Sequence, residues 1–328
     1  MEEIAVSVLC LVYNHEKYLR KCLDGFVNQK TNFKFEVIIH DDASTDNSVD
    51  IIKEYETKYP DIIKPIYQTE NQYSKGVKIT NTILFPRARG KYIAFCEGDD
   101  YWCDEHKLQK QYDVMESNSE CHFCVHKVRI IEENGELLNQ YYPGLALGAG
   151  TIKTEHFMEI LGNTYPFQTS SYFIRMTDMK EYLNNTPEFV NVADVGDVPM
   201  MLYFGHLGDV YYIDEIMSCY RKSSVGSWSS KTYLNSKKWL SHCNTMVEVY
   251  DAFNEFTDNK YEKQLSPRRK VCYLTKYALN LDDPENAKIL LKKENRDFLK
   301  RHSIKYRVYV VLKAYAPKIA DFYYRIRK

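Results

Sequence analysis

Apolar, β-branched runs alternate with segments of helical period over the first hundred residues of this chain. Ala5 to Val12 reads as a strand, and Glu16 to Val27 places Tyr18, Leu19, Cys22, Leu23 and Phe26 on one helical stripe. Phe35 to His40 is a second strand. Ser44 is suited to cap a helix running from about Thr45 to Tyr59, which Pro60 ends. Ile62 to Tyr67 and Tyr92 to Cys96 follow as a third and a fourth strand. The alternation predicts successive βα units and a mostly parallel sheet flanked by helices, that is, an α/β fold of Rossmann-like type.

Beyond residue 100 the rhythm changes. Lys107 to Ser117 reads as helix, Phe123 to Ile131 as strand, and Glu132-Glu133-Asn134-Gly135 as a turn. Gly144 to Gly150 reads as a loop, Glu155 to Leu161 as a short helix, Ser171 to Arg175 as a strand, Asp197 to Phe204 as a helix and Val210 to Ile213 as a strand. From about Lys231 the pattern is almost wholly helical. The boundaries therefore fall near Tyr101 and in the serine-rich stretch from Ser223 to Ser230, giving regions 1–100, 101–230 and a helical C-terminal extension over 231–328.

Composition narrows the function classes. With 328 residues, 44% hydrophobic and 27% charged, the chain has enough apolar material for a sizeable core. Forty-four Lys and Arg against 45 Asp and Glu leave a net charge of -1, without the positive field of a nucleic-acid binder, so no nucleic-acid partner is expected. The nine cysteines are scattered rather than spaced as a framework, which fits a reducing, cytoplasmic compartment. The acidic start Met1-Glu2-Glu3, with no small-residue cleavage site after the apolar run, reads as the lead into a buried strand. The longest C-terminal apolar run, Val308 to Ala316, is interrupted by Lys313 and stopped by Pro317, short of the roughly 18 residues a spanning helix needs.

Strands of a parallel α/β sheet present their C-terminal ends to the ligand crevice, so the residues leaving each strand carry the chemistry. Val12-Tyr13-Asn14 leaves the first strand, Asp41-Asp42-Ala43-Ser44-Thr45-Asp46 the second and Glu97-Gly98-Asp99-Asp100 the fourth. A cap accounts for Ser44, but two adjacent carboxylates after Val37-Ile38-Ile39 repel each other unless a ligand, cation or donor compensates. Three carboxylates in four residues after Tyr92 to Cys96 make a poor turn and a good seat for a hard divalent cation. The run Cys121-His122-Phe123-Cys124-Val125-His126 lacks the second ligand pair of a zinc site and reads as a strand with alternate buried residues.

These stretches together resemble the nucleotide-sugar-dependent glycosyltransferases of family 2, which have the GT-A fold. Ser7 to Asn14 is similar to the family's opening strand, with Leu11 and Val12 where Pro and Thr are usual. Asp41 to Asp46 resembles its Asp-Asp-Gly-Ser-Thr-Asp with Ala43 for Gly, and Glu97 to Trp102 resembles its Asp-x-Asp region in the variant with Glu first. Gly196-Asp197-Val198-Pro199, followed by Gly208, Ile213 to Met217 and Tyr220-Arg221, resembles the acceptor-side segment of one bacterial branch. The shared order spans roughly residues 4 to 230; the last hundred residues carry no such motif.

The resemblance implies an inverting, metal-dependent transfer of a sugar, with UDP-hexose or UDP-N-acetylhexosamine as donor, to an acceptor hydroxyl in polysaccharide or glycoconjugate synthesis. It implies donor contacts from Tyr13, Asn14, Asp41, Asp42 and Glu97, with Asp41 accepting from a nucleobase that uracil or guanine would satisfy. It places Mn²⁺ or Mg²⁺ on Asp99 directly, with Glu97 as a ligand or ribose partner, against the diphosphate. Asp197 is the expected general base, with Asp194 as the nearby substitute and a helix cap as the competing role. Arg221 offers a guanidinium to the diphosphate or an ordinary ion pair, and Trp228 a ring to a sugar or to the core. Sugar and acceptor choice fall to loops such as Gly144 to Gly150 and Asn163 to Ser170.

Two other functions compete with transfer. A sugar nucleotidyltransferase would carry a Gly-rich basic loop where Tyr13-Asn14-His15-Glu16 stands, and a non-catalytic nucleotide- or glycan-binding protein would lose the metal acid or base, yet Asp99 and Asp197 are both present. Lys300 to Lys328 carries nine Lys and Arg against the single acid Asp321, with tyrosines interleaved. Peripheral contact with the inner face of the plasma membrane, beside a lipid-linked acceptor, and packing on the catalytic domain or on a second subunit of a homo-oligomer are the two readings of that segment.

Overall fold

The computed structural model describes residues 3–222, 224, 227, 228, 232 and 235–325, the last four by backbone alone. In chain order the elements are β1 (Ile4–Val12), α1 (Glu16–Val27), β2 (Lys34–Asp41), α2 (Ser48–Lys58), β3 (Ile63–Tyr67), β4 (Tyr92–Phe95), β5 (Tyr101–Trp102), α3 (Lys107–Ser117), β6 (Cys121–Ile131), β7 (Leu137–Tyr142) and β8 (Gly150–Ile152). There follow α4 (Thr154–Asn163), β9 (Phe173–Arg175), α5 (Met176–Asn184), α6 (Glu188–Val192), α7 (Asp197–Leu207) and β10 (Asp209–Arg221). The C-terminal helices are α8 (Ser236–Phe256), α9 (Glu262–Leu279), α10 (Pro284–Leu291), α11 (Arg296–Lys300), α12 (Ile304–Tyr315) and α13 (Pro317–Arg325).

The strands form one sheet in the order β3-β2-β1-β4-β9-β6-β10-β5, with β7 added on β6 and β8 on β10. The pairs β3-β2, β2-β1 and β1-β4 are parallel, as the βα alternation predicts. β9 then enters antiparallel between β4 and β6, so the second half of the sheet is mixed. Val6, Val8, Cys10, Val37 and Ile39 are fully buried with Leu19, Cys22, Leu23 and Phe26 of the α1 stripe, the continuous apolar burial that inner parallel strands require.

The structure revises several boundaries. The helix expected from Thr45 starts at Ser48, and Ser44 does not cap it: its hydroxyl accepts from the backbone N–H of Asn14. The strand expected over Val210 to Ile213 runs to Arg221, because it pairs with β6 through three register irregularities. The segment near Tyr101, read as a boundary, holds the short strand β5, where Trp102 packs edge-on to Phe26 of α1. All nine cysteines are free thiols, eight of them buried.

The chain divides into two compact units, one of Met1–Pro187 with Gly196–Ser227 and one of Glu188–Val195 with Trp228–Lys328. The second unit is helical and has its own core, built on Leu274, Ala287, Leu290, Phe298, Val310 and Ala314. In it α6 packs on α8, with Phe189 edge-on to Phe253.

Candidate active site

Because β2, β1 and β4 are parallel neighbours, their C-terminal ends lie side by side. Asp42 N donates to Val12 O at 2.9 Å and Gly98 N to Leu11 O at 2.9 Å, which ties the three ends together. Gly98 is required there, since a Cβ would come within 2.8 Å of His15 Nδ1 and 2.9 Å of Val12 Cγ2.

The loops after β1 and β2 hold one another. Asn14 Oδ1 accepts from Thr45 N at 2.7 Å, Ser48 Oγ from His15 N at 2.9 Å and Asp46 Oδ2 from Glu16 N at 3.0 Å, while Glu16 Oε2 accepts from Asn47 N at 3.0 Å. Asn14 and Ala43 both adopt the left-handed backbone, at φ 56° and 60°. Asp41 and Asp42 then diverge. Asp42 is consumed locally, its Oδ1 accepting from Gln72 N and its Oδ2 from Tyr73 N, which folds residues 71–73 against the strand end. Asp41 accepts from Ser44 N through Oδ2, while its buried Oδ1 has no partner among the described residues. A buried carboxylate oxygen left unsatisfied suits a ligand N–H. Tyr13 is exposed beside it.

After β4, Glu97, Asp99 and Asp100 each bring a carboxylate oxygen within 4.8 Å of the others. Asp100 is fully occupied: Oδ1 accepts from Arg221 N at 2.8 Å and Oδ2 from Gln168 Nε2 at 2.9 Å. Burial, with Asp99 and Glu97 nearby, holds its pKa well above the usual range. Asp99 Oδ2 accepts from Ser224 Oγ at 2.5 Å. Glu97 has its pKa pushed up to about 8, first by burial of its carboxyl and then by the charges of Asp99 and Asp197. An all-carboxylate donor set suits a hard divalent cation, whose charge relieves that repulsion; with Asp100 occupied, Glu97 and Asp99 are the residues left to hold it.

Asp197 opens α7 after Gly196, and its charge acts on Glu97. Gly196 holds the N-cap position and Asp197 is the first helical residue; its Oδ2 accepts from the Tyr165 hydroxyl at 2.5 Å, and its Oδ1 accepts from Val198 N at 2.8 Å. Asp194 belongs to the helical unit, where it meets His242 Nδ1 at 2.9 Å. Trp228 belongs there too, its ring edge-on to His242 at 4.8 Å.

Arg221 is held by backbone partners on two loops. Its guanidinium donates to the carbonyls of Asp99, Glu132 and Glu133 at 2.9, 3.2 and 2.8 Å and lies 4.4 Å over the Tyr18 ring. Only 5% exposed, it clamps the acidic loop from behind. The Asn163 to Ser170 loop, expected to shape substrate choice, supplies Tyr165 to Asp197 and Gln168 to Asp100. No local pattern marks these two, because their partners lie 32 and 68 residues away.

The comparisons agree with this geometry. The family model described as glycosyl transferase family 2 matches residues 7–181. The chain belongs to that family. An uncharacterized protein of Mycobacterium tuberculosis is 32% identical over 265 residues, covering 79% of this chain and 70% of the relative. A poly(ribitol-phosphate) beta-glucosyltransferase of Bacillus spizizenii is 36% identical over 34% of this chain and 17% of its own length. In fold, this family 2 chain is similar to S. aureus TarS residues 1–349 in complex with UDP-GlcNAc, with a TM-score of 0.62 and 17% identity over 94% of this chain and 87% of that one. The GT-A architecture expected from the sequence is therefore present, and this glycosyltransferase carries its acidic cluster on the same strand ends that the alternation places at the crevice.

Proposed function

We propose that this family 2 enzyme moves a hexose or N-acetylhexosamine from a uridine diphosphate donor to an acceptor hydroxyl of a surface polysaccharide or glycoconjugate, inverting the anomeric centre. The observation that carries the reading is that the charges of both Asp99 and Asp197 act on Glu97, which sets the metal and diphosphate side close to the base side. The orphaned Asp41 Oδ1 supports a nucleobase N–H as its partner. Regions 1–100 and 101–230 then serve donor and acceptor respectively.

In the proposed step Asp197 takes the proton of the acceptor hydroxyl as that oxygen attacks the anomeric carbon, and the bond to the diphosphate breaks with its electron pair. A single in-line displacement inverts the configuration. Tyr165, donating to Oδ2, fixes the carboxylate so that its remaining lone pairs face the acceptor. Mn²⁺ or Mg²⁺ held by Asp99 and Glu97 would neutralise charge gathering on the leaving nucleoside diphosphate. A UDP donor is supported by the UDP-GlcNAc complex of TarS, with a GDP-sugar, as in a Pyrobaculum mannosyltransferase complex, the alternative, and a polyol-phosphate or glycan acceptor by the name of the Bacillus relative.

The test is thermal stabilisation by UDP, GDP, dTDP, CMP and their sugars, with and without Mn²⁺, since a ligand that binds only the native state raises the midpoint. A UDP species shifting it only with metal, and not in Asp99→Asn, is the expected result. No shift from any nucleotide would overturn the donor assignment.

A further inference from the structure

We propose that the solvent face of α12 is a docking surface for an anionic phospholipid bilayer. On α12 the residues Ile304, Val308, Val311 and Tyr315, at i, i+4, i+7 and i+11, form one helical stripe. They are 71%, 48%, 45% and 72% exposed, and Ile319 on α13 is 59% exposed. The opposite face fixes the helix rotation: Val310 and Ala314 sit in the core, and the buried Lys313 ammonium meets Asp282 at 3.1 Å and Asp321 at 2.6 Å. Turning the stripe inward would expose that core and strand Lys313, so the apolar residues are held outward.

Charge complementarity names the occupant. Arg301, Lys305 and Lys318 are exposed around the stripe, and Arg307 lines its edge with Leu312. Lys300 to Lys328 holds nine cations to one acid in a chain whose net charge is only -1, and with Lys313 spent on its buried ion pairs and Lys300 on Asp297 the segment still carries a marked positive excess. Apolar side chains flanked by Lys and Arg match the boundary between acyl chains and anionic headgroups, with Tyr315 placed to span it. A second copy of the same face fits worse. It would set like cations against each other, and five side chains fall far short of the roughly 20–30 residues a side of a stable dimer. No helix among the described residues is long and apolar enough to cross a membrane, so attachment of this kind would be peripheral.

The full chain should therefore float with vesicles of phosphatidylglycerol in phosphatidylcholine and stay behind with phosphatidylcholine alone. Because the stripe is exposed, Val308→Asp with Val311→Asp should leave the thermal midpoint unchanged and weaken vesicle binding at least tenfold. Lys305→Gln and Lys318→Gln should each weaken it about fivefold and flatten its salt dependence. Equal binding to neutral vesicles, or no loss in either set of variants, would overturn the proposal. So would a dimer in sedimentation that Val308→Asp with Val311→Asp turns into a monomer, because the occupant would then be a second copy.

Discussion

Ala43 stands in the left-handed region at φ 60°, at the one position of its motif where the family pattern has glycine. A Cβ costs roughly 1–2 kcal/mol in that conformation, and glycine gives back part of this through its larger loss of chain freedom. Ala43→Gly should therefore raise stability by about 0.5–1 kcal/mol, read as a higher urea midpoint with an unchanged slope. Asn14, at φ 56°, occupies the same region, which asparagine enters more readily than alanine, and its side chain is held there by Thr45 N of the neighbouring loop. At the proposed base, Asp197→Asn should lower turnover by on the order of a thousandfold while leaving nucleotide binding intact. Tyr165→Phe removes one hydrogen bond to a charged acceptor and should lower kcat about tenfold with little change in donor KM. Near-normal turnover by Asp197→Asn would send the assignment back to Asp194.

At the scale of elements, the acidic loop after β4 owes its shape to β10, which arrives more than a hundred residues later. Arg221 at the end of β10 donates to one carbonyl of that loop, Asp99, and to two of the turn after β6, Glu132 and Glu133, and gives its own N–H to Asp100. Arg221→Met keeps the apolar bulk over Tyr18 but leaves those buried carbonyls unpaired, so it should cost about 2–3 kcal/mol and abolish stabilisation by Mn²⁺ with nucleotide. A variant that kept the ligand shift would show that the loop holds itself. The α1 stripe and the strands β1, β2 and β4 were readable in advance because their periodicity is local and their faces are buried all along. The start of α2 was not: Ser44 satisfies the cap rule, but Asn14 competes for its hydroxyl from another loop. The carbonyls that hold Arg221 were hidden for the same reason, since nothing nearby in the sequence reveals them.

For the whole molecule, stability should depend on pH and cation together. Glu97, with its pKa raised to about 8 from an ordinary 4.5, holds a proton in the native state that the unfolded chain releases at lower pH. The native state thus binds more protons between these values, so stability is highest below about pH 4.5 as far as this group is concerned and is lost as pH rises toward about 8. Without divalent cation the thermal midpoint should fall over that window. Mn²⁺ should lessen the fall by taking the place of the proton, and Glu97→Gln should remove it; a midpoint with the same slope in Glu97→Gln would show that other groups cause it. By itself the sequence determined the βα alternation, the parallel strand ends and hence the shared edge bearing Tyr13, Asp41 and Glu97, because hydrophobic period and chain connectivity are local properties that dictate direction and burial. Only the tertiary structure decided that Asp42 braces a loop, that Arg221 ties the acidic loop to the turn after β6, and that Tyr165 bonds to an Asp197 whose charge acts on Glu97. Those outcomes depend on the register of β9 and β10 in the sheet and on which donor reaches a buried oxygen first. They are contests between groups far apart in sequence, and no short-range pattern records who wins them.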